Sequence, residues 1–363
     1  MAIDKAKYVV TTPGATGPAA VARAFENQVA YCRDNRAGVT ALVCQAVGDL
    51  LDTDRGGAFM RRVRRWAGPP LADALPLRVA GGLHALHQSG EEPGLSPIYE
   101  GLGPNNAAEL VAAAIERHEA FLMPWLDGPP QTNEAGRSAS FAAAFLWLVE
   151  QGLPGHFDLL EIGSSAGVNL MMRRYRYDLG GVCVGPKNAR MRIAPEWRGA
   201  SPPDQGFDIV GAQGCDVSPI DLTDEGQVAR LKAYIWPEFT DRFARLETAI
   251  AAAHTFPPEI ERRRAVDFLH DRLERPQERG TTRVLMHSVV WQYIPRDERD
   301  QIVELMEAAG QRADSETPLA WVSLEANRDT HRHELTASYW PAGDLRRNLA
   351  TAHPHGAWIE WKG

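Results

Sequence analysis

The sequence has few cysteines, and none of them lie at redox or zinc-binding spacing. Cys32, Cys44, Cys183 and Cys215 are the only four in 363 residues, and no C-x-x-C motif occurs. This scarcity argues against a disulfide framework and against a cysteine-ligated zinc site. We therefore expect four buried free thiols in a protein from a reducing compartment.

Long apolar runs and an excess of positive charge are also absent. The longest apolar run, 141–149, is far shorter than the roughly 20 residues of a membrane-spanning helix. Residues 1–18 lack the apolar core of a secretory signal. The formal net charge is −8, and the basic runs 61–66 and 262–264 are short. We expect a cytoplasmic protein that binds a small molecule rather than nucleic acid or membrane, with its oligomeric state left open.

The first part of the chain has helical periodicity. Apolar residues recur at three- and four-residue spacing in 18–34, as one face of a helix requires. Further segments of this kind, separated by Gly- and Pro-rich breakers, are 40–51, 56–67 and 105–126. No period-two alternation is present here, so we predict an all-α N-terminal domain over residues 1–130.

The pattern changes near residue 155, where short apolar runs begin to alternate with amphipathic segments. The predicted strands are 157–162, 207–214, 282–287, 319–325 and 357–361. The predicted helices between them are 224–235, 238–253 and 296–310. Strands that alternate with helices indicate an α/β domain, here 131–363, with a mostly parallel sheet and helices on both faces. Ligands bind such sheets beyond the carboxyl ends of the strands.

One sequence that follows the first predicted strand is compatible with a serine hydrolase. Gly163, Ser165 and Gly167 form G-x-S-x-G, the pattern of a nucleophile elbow. An acid and then His353 or His355 follow in the order that such hydrolases require. However, no His-Gly-Gly segment for an oxyanion hole occurs in the strand-forming half.

The same segment is also compatible with a cofactor loop, and Glu161 favours this interpretation. A carboxylate two residues before the first glycine can bind an ammonium or hydroxyl group, whereas it would oppose an oxyanion. The small residues that let a ligand approach the backbone are Gly163, Ser164, Ser165 and Gly167. We also predict a helix over 166–174 whose amino end faces the ligand. A packing turn without any ligand is the remaining alternative.

The run E-I-G-S-S-A-G over 161–167 resembles the first motif of Rossmann-like S-adenosylmethionine-dependent methyltransferases. The resemblance implies that an acid and a Gly-rich turn hold the methionine part of the cofactor. It makes Asp216 the acid that binds the ribose, with Asp178 as a competitor and an insertion around 175–206. The chain departs from the family at Ser165, where a glycine is common, and at the arginines 262–264, where an acid near the adenine is often found.

Longer blocks resemble a bacterial family catalogued as domain of unknown function 2332. These blocks are 130–141, 214–224, 236–242, 287–295 and 353–361. The resemblance implies a helical region followed by a methyltransferase-like domain, and it brings no reaction with it.

The segment before the first strand is polar and supplies further candidates. Thr132 or Asn133 suits a helix N-cap, and Glu134 suits the first turn. Capping does not account for Gln131 and Arg137 together. Because the corresponding helix of methyltransferases often closes over the cofactor, these residues are candidates for lining the pocket.

Histidines supply the last candidates. His287 ends the fourth predicted strand, where a base or a hydrogen-bonded structural histidine would both be compatible with the sequence. The pairs His331/His333 and His353/His355 have strand spacing, but no Cys or acid cluster supports them, so we predict no metal site.

These observations lead to one prediction with two alternatives. We predict a methyltransferase that binds S-adenosylmethionine through Glu161, the 163–167 loop and Asp216, with His287 facing the transferred methyl group. The alternatives are a serine hydrolase that uses Ser165, and a non-catalytic binding or scaffold protein that keeps the methyltransferase-like fold.

Overall fold

The computed structural model describes residues 14–327, 330, 332–341 and 343–363. The chain divides into two compact units. The first comprises Met1–Thr132 and Glu225–Phe243, and the second comprises Asn133–Asp224 and Ala244–Gly363.

The described residues form twelve α-helices. They are α1 (Pro18–Asp34), α2 (Gly38–Asp49), α3 (Gly57–Arg64), α4 (Leu75–Gln88), α5 (Ser96–Tyr99), α6 (Ala107–Arg117), α7 (Glu119–Leu122), α8 (Ser138–Glu150), α9 (Glu225–Ala233), α10 (Thr240–Ala253), α11 (Ala265–Glu274) and α12 (Arg296–Arg312).

The described residues also form twelve β-strands. They are β1 (His156–Ile162), β2 (Tyr175–Leu179), β3 (Val182–Val184), β4 (Met191–Ile193), β5 (Glu196–Arg198), β6 (Asp208–Asp216), β7 (Glu259–Arg262), β8 (Thr282–Ser288), β9 (Leu319–Asn327), β10 (Arg332–Trp340), β11 (Arg347–Ala352) and β12 (Trp358–Trp361).

The first unit is built from packed helices in its described residues. Helix α1 packs on α2, α2 on α6, and α4 on α9. Phe25, Phe59 and Leu83 are among the fully buried side chains of its core. The helix predicted over 105–126 is instead divided into α6, α7 and a 3₁₀ turn that contains Pro124, which lacks the amide hydrogen of a regular helical bond.

The second unit contains a nine-stranded, mostly parallel sheet. Its order is β5-β12-β11-β10-β9-β8-β1-β6-β7. Strands β7, β6, β1, β8 and β9 are mutually parallel, while β10, β11 and β12 pair antiparallel with their predecessors. The chain runs outward from β1 to β7 and then returns to β8 on the other side of β1. The order in which strands are added to the sheet therefore reverses between β1 and β8. Open α/β sheets bind their ligands at such a reversal point.

Helices cover both faces of the sheet. Phe145 of α8 stacks on Phe157 of β1, with ring centroids 4.7 Å apart. On the opposite face, α11 and α12 bury Leu160 of β1 and Leu285 of β8. Because neighbouring side chains of a strand alternate between faces, Glu161 lies on the α8 side.

The structure confirms all five predicted strands to within two residues at each end. It adds strands that the sequence analysis missed, because they are short or lack a clear alternation. One set, β2, β3 and β4, forms a separate three-stranded sheet.

The cysteines and the lengths of the helices bear on two further expectations. Cys32, Cys44 and Cys215 are buried, but Cys183 on β3 is exposed, because it lies on the outward side of a hairpin strand. In the part of the chain that the structure describes, every helix is too short or too polar to cross a membrane.

Candidate functional site

The candidate site lies at the carboxyl ends of β1 and β6. Glu161 is the penultimate residue of β1, and Asp216 is the last residue of the adjacent β6. The loop 163–167 leaves β1 between them. The parallel register of the two strands, in which Glu161 pairs with Gly214, brings these groups together.

Glu161 is a buried acid with only one of its two oxygens bonded. Its side chain accepts a hydrogen bond at Oε1 from Nδ2 of Asn169, at 3.0 Å. Its other oxygen, Oε2, has no hydrogen-bond partner among the described residues. Burial raises the pKa of Glu161 from 4.5 to about 8, against the opposing effects of Asn169 and the nearby Arg137. The site therefore contains a carboxyl group for which the cost of burial outweighs the stabilisation of its charge by Asn169 and Arg137.

Two more unpartnered acceptors lie close to Glu161 in the chain. Oδ1 of Asn169 and Oγ of Ser165 are buried, and neither has a hydrogen-bond partner among the described residues. Buried polar groups without partners are uncommon, and a ligand is one explanation for several in one loop. A carboxylate, an amide oxygen and a hydroxyl all accept hydrogen bonds, so a donor such as an ammonium group would satisfy them.

The loop is held in a strained conformation by Asp216. Ser165 has a φ of 51°, in the left-handed region that side chains other than glycine rarely adopt. Its amide donates to Oδ2 of Asp216 at 2.9 Å, and its carbonyl accepts from the amide of Ile220 at 3.1 Å. The other carboxylate oxygen of Asp216 accepts from the amide of Ser218. Asp216 thus fixes the loop, and the lone pairs that remain on its carboxylate are available to a ligand.

The helix predicted over 166–174 is wrong. The chain makes turns there, followed by a 3₁₀ helix of three residues, Met172–Arg174. Side chains bond to backbone groups that would otherwise form helical hydrogen bonds. Oδ1 of Asn133 accepts from the amide of Val168, and the Tyr175 hydroxyl donates to the Val168 carbonyl. Such bonds compete with helical ones. The site consequently has no helix amino end directed at a ligand.

Most of the loop amides are already engaged. The amide of Ser164 donates to the Cys215 carbonyl, and that of Gly167 donates to the Ser164 carbonyl. With Ser165 bonded as described, three of the five loop amides are occupied, and so is the amide of Val168, which follows the loop. A phosphate site uses free amides at a helix start, so this loop is poorly suited to phosphate and better suited to a ligand that donates hydrogen bonds.

The polar segment before α8 lies against the loop. Asn133 holds Val168, while the Glu134 side chain accepts from the Gly136 amide and pairs with Arg245 at 2.8 Å. Glu134 is therefore the capping residue, instead of Thr132 or Asn133. Arg137 is buried and donates to the Pro354 carbonyl at 2.7 Å. Gln131 belongs to the first unit.

His287 lies at the end of β8 with both ring nitrogens bonded. The indole N–H of Trp321 donates to Nε2 at 3.0 Å, and an indole can only donate. Nδ1 consequently carries the proton and donates to Oε1 of Glu325 at 2.7 Å. To act as a base, His287 would first have to lose the bond from Trp321.

Asp178, His353 and His355 take part in local turns. Asp178 is on β2, in the small sheet, where it accepts from the Gly181 amide. His353 and His355 flank a turn closed by a bond from the Gly356 amide to the His353 carbonyl. His331 lies outside the described residues. No group of three metal-binding side chains occurs in the described part of the chain.

Three residues that organise the site were not predicted from the sequence. Asn169 lies eight residues after Glu161 in the chain. The two side chains meet only because the chain makes turns where a helix was predicted. Trp321 and Glu325 were visible only as residues on one face of a predicted strand. The two residues are four apart on β9, so the sequence could have placed them on the same face of that strand. The sequence could not have shown that both of them bond to His287.

Residues 22–361 match the model of a family described as uncharacterised proteins conserved in bacteria, domain of unknown function 2332. The chain belongs to this family. No curated protein matches the sequence.

Proposed function

We propose that this member of an uncharacterised bacterial family is an S-adenosylmethionine-dependent methyltransferase with a Rossmann-like domain. The observation that carries the proposal is the buried Glu161 at the carboxyl end of the central strand, whose Oε2 has no hydrogen-bond partner in the described part of the chain. The order of the five parallel strands, which is 3-2-1-4-5 when they are numbered along the chain, supports the fold assignment.

Glu161 and its neighbours would hold the methionine end of the cofactor. An ammonium group placed at Oε2 would donate to the carboxylate and to the free acceptor of Asn169. The attraction between the ammonium group and the carboxylate would be strong because burial removes the screening by water. A bound cation would also compensate for the cost of burying the charge, which is what raises the pKa of Glu161 in the free protein.

Asp216 would hold the ribose. A carboxylate at the end of the strand beside the first one is suited to accept hydrogen bonds from two adjacent hydroxyls. Because the same carboxylate fixes the amide of Ser165, it also sets the shape of the loop next to the cofactor. Asp178, in the separate small sheet, has no comparable relation to the loop.

S-adenosylmethionine, when bound, would supply a methyl group on a positively charged sulfur. The chain would contribute chiefly by alignment, since an acceptor that is already nucleophilic needs little acid–base help. His287 is proposed as a positioning group: its bond to Glu325 also orders the amide of Val290, which donates to the same carboxylate oxygen. The Val290 side chain covers Gly163, where an added Cβ would collide with it.

Ser165 keeps a serine hydrolase as the second candidate. Its left-handed φ of 51° is the kind of strained geometry that a nucleophile elbow has. Against this, turns and a short 3₁₀ helix follow the serine instead of an α-helix, and its Oγ has no hydrogen-bonded base among the described residues. Covalent labelling of Ser165 by a fluorophosphonate, compared with Ser165→Ala and with a known hydrolase, would favour the hydrolase.

The proposal is tested by calorimetric titration with S-adenosylmethionine and with S-adenosylhomocysteine. We expect micromolar binding by the wild type, which corresponds to about 8 kcal/mol, and a loss of at least about tenfold in Glu161→Gln. Glu274→Gln, which removes an exposed acid from α11, is the matched control and should bind normally. Absence of binding by the folded wild type would refute the proposal. Binding without methyl transfer would favour the scaffold alternative.

A further inference from the structure

A cavity with polar and aromatic walls lies on the other face of the sheet from Glu161. It has a volume of about 80 Å³ and is lined by His287, Trp291, Trp321, Ser323, Glu325, Thr336, Ser338 and Arg346. In register, Glu161 pairs with Met286, so the next residue, His287, points to the opposite face. The cavity therefore lies on the opposite face from Glu161, although His287 and Glu325 also order Val290 beside Gly163. The inference below does not rest on the proposed function.

The wall of this cavity carries an acid without a full set of partners. Oε1 of Glu325 accepts from His287 and from the Val290 amide. No described residue donates to Oε2, although the side chain is only 16% exposed. Because Nε2 of His287 accepts from Trp321, the imidazole in this arrangement is neutral and does not balance the charge of Glu325.

A second acid lies directly opposite on the neighbouring strand. Glu334 of β10 pairs with Glu325 of β9 in register, so the two side chains project from the same face. Like charges in this position are unfavourable. Glu334 is bonded only by the neutral side chains of Asn327 and Thr330 among the described residues. Among the described residues, two acids thus lie side by side on this face of the β9–β10 pair.

Aromatic rings line the same cavity. Trp291 stacks on His287 with centroids 5.1 Å apart, and Trp291 and Trp321 meet at 61° with centroids 5.7 Å apart. Indole faces attract organic cations, and a nearby carboxylate adds to this attraction. The hydroxyls of Ser323 and Thr336 bond to each other at 2.8 Å, so one of the two O–H groups is already used within the wall of the cavity.

We propose that this cavity is a binding site for an alkylammonium group. The cation would rest against Trp291 and Trp321, and its charge would be balanced by Glu325. Arg346, which is exposed, is the one Lys or Arg among the described residues that line the cavity. It would oppose a cation only weakly, because solvent screens its charge.

The test titrates the full-length protein with tetramethylammonium chloride, using sodium chloride to hold the ionic strength constant. Binding is followed by saturation-transfer NMR and by tryptophan fluorescence. We expect saturable binding by the wild type and an affinity about tenfold lower in Glu325→Gln. Trp291→Leu, which leaves the bond between His287 and Glu325 in place, should lower the affinity about fivefold. Glu274→Gln is the control of equal charge change and should match the wild type.

Two further outcomes decide the proposal. Arg346→Gln should bind the cation more tightly, because it removes a like charge; weaker binding would overturn the proposal. No saturable binding by the wild type, or equal affinities in Glu325→Gln and Glu274→Gln, would overturn it as well. Melting curves establish that each variant is folded before its affinity is interpreted.

Discussion

Asn169 and Glu161 form a buried hydrogen bond of 3.0 Å at the carboxyl end of the central strand. The bond engages one carboxylate oxygen and leaves the other without a partner among the described residues. The same turn that brings Asn169 back to Glu161 prevents a helix from forming after the loop. The site is therefore organised by side chains rather than by a helix dipole, and this favours a ligand that donates hydrogen bonds over a phosphate.

The stability of the free protein should depend on the charge of Glu161. The folded state keeps its proton up to a pKa of about 8, whereas the unfolded chain releases it near 4.5. Between these values the unfolded state binds fewer protons, so the free energy of unfolding falls as the pH rises. The difference corresponds to roughly 4–5 kcal/mol as an upper bound. Urea unfolding at pH 5 and pH 8 should show this fall in the wild type and a smaller one in Glu161→Gln. Equal falls in both would contradict the assignment.

Replacing Ser165 by glycine should stabilise the protein. Ser165→Gly relieves the left-handed backbone and removes a buried hydroxyl without a partner. These gains exceed the cost of a more flexible unfolded chain, and we expect about 1 kcal/mol of added stability. Ser165→Ala removes the hydroxyl but keeps the strain, so it separates the two effects. Thermal unfolding of the three proteins measures them, and a destabilised glycine variant would argue against strain at this position.

Asp216 and Asp178 provide a matched pair of substitutions. Asp216→Asn weakens the bonds to the amides of Ser165 and Ser218, and we expect a loss of about 1.5–3 kcal/mol in stability. Asp178→Asn affects a single bond in an exposed turn, and it should cost less than about 1 kcal/mol. The affinity for S-adenosylmethionine should follow the same order. Weaker cofactor binding in Asp178→Asn than in Asp216→Asn would reverse the assignment of the ribose-binding acid.

The tautomer of His287 is a further expectation. Trp321 donates to Nε2, so the proton of the neutral ring should be on Nδ1. Nitrogen-15 NMR of the imidazole distinguishes the two tautomers directly. Trp321→Phe removes the donor, and we expect the ring signal of His287 to change while that of His254, an exposed histidine, remains the same. A proton on Nε2 in the wild type would contradict the arrangement described.

The sequence was most informative about elements that depend on the pattern of neighbouring residues. Apolar runs predicted β1, β6, β8, β9 and β12, each to within two residues at its ends. The antiparallel addition of β10 and β11 was missed, because strand pairing over such a distance depends on tertiary packing rather than on local pattern.

The details of the site depended on contacts that sequence spacing does not determine. The predicted helix over 166–174 failed because Asn133, Asn169 and Tyr175 bond to the loop instead of permitting helical bonds. Likewise, His287 was predictable as a residue at a strand end, but its partners come from a strand more than thirty residues later. Its position could be predicted, whereas its hydrogen bonds could not.

The most direct test of the central claim measures the proton released when the cofactor binds. Between pH 6 and pH 7.5, Glu161 is largely protonated in the free protein, and an ammonium group would displace that proton. Calorimetry with S-adenosylmethionine in buffers of different ionisation enthalpy should therefore show release of close to one proton by the wild type and none by Glu161→Gln. The wild-type affinity should also rise with pH over this range. Binding without proton release, or release that persists in Glu161→Gln, would show that the cofactor does not bind through this buried acid.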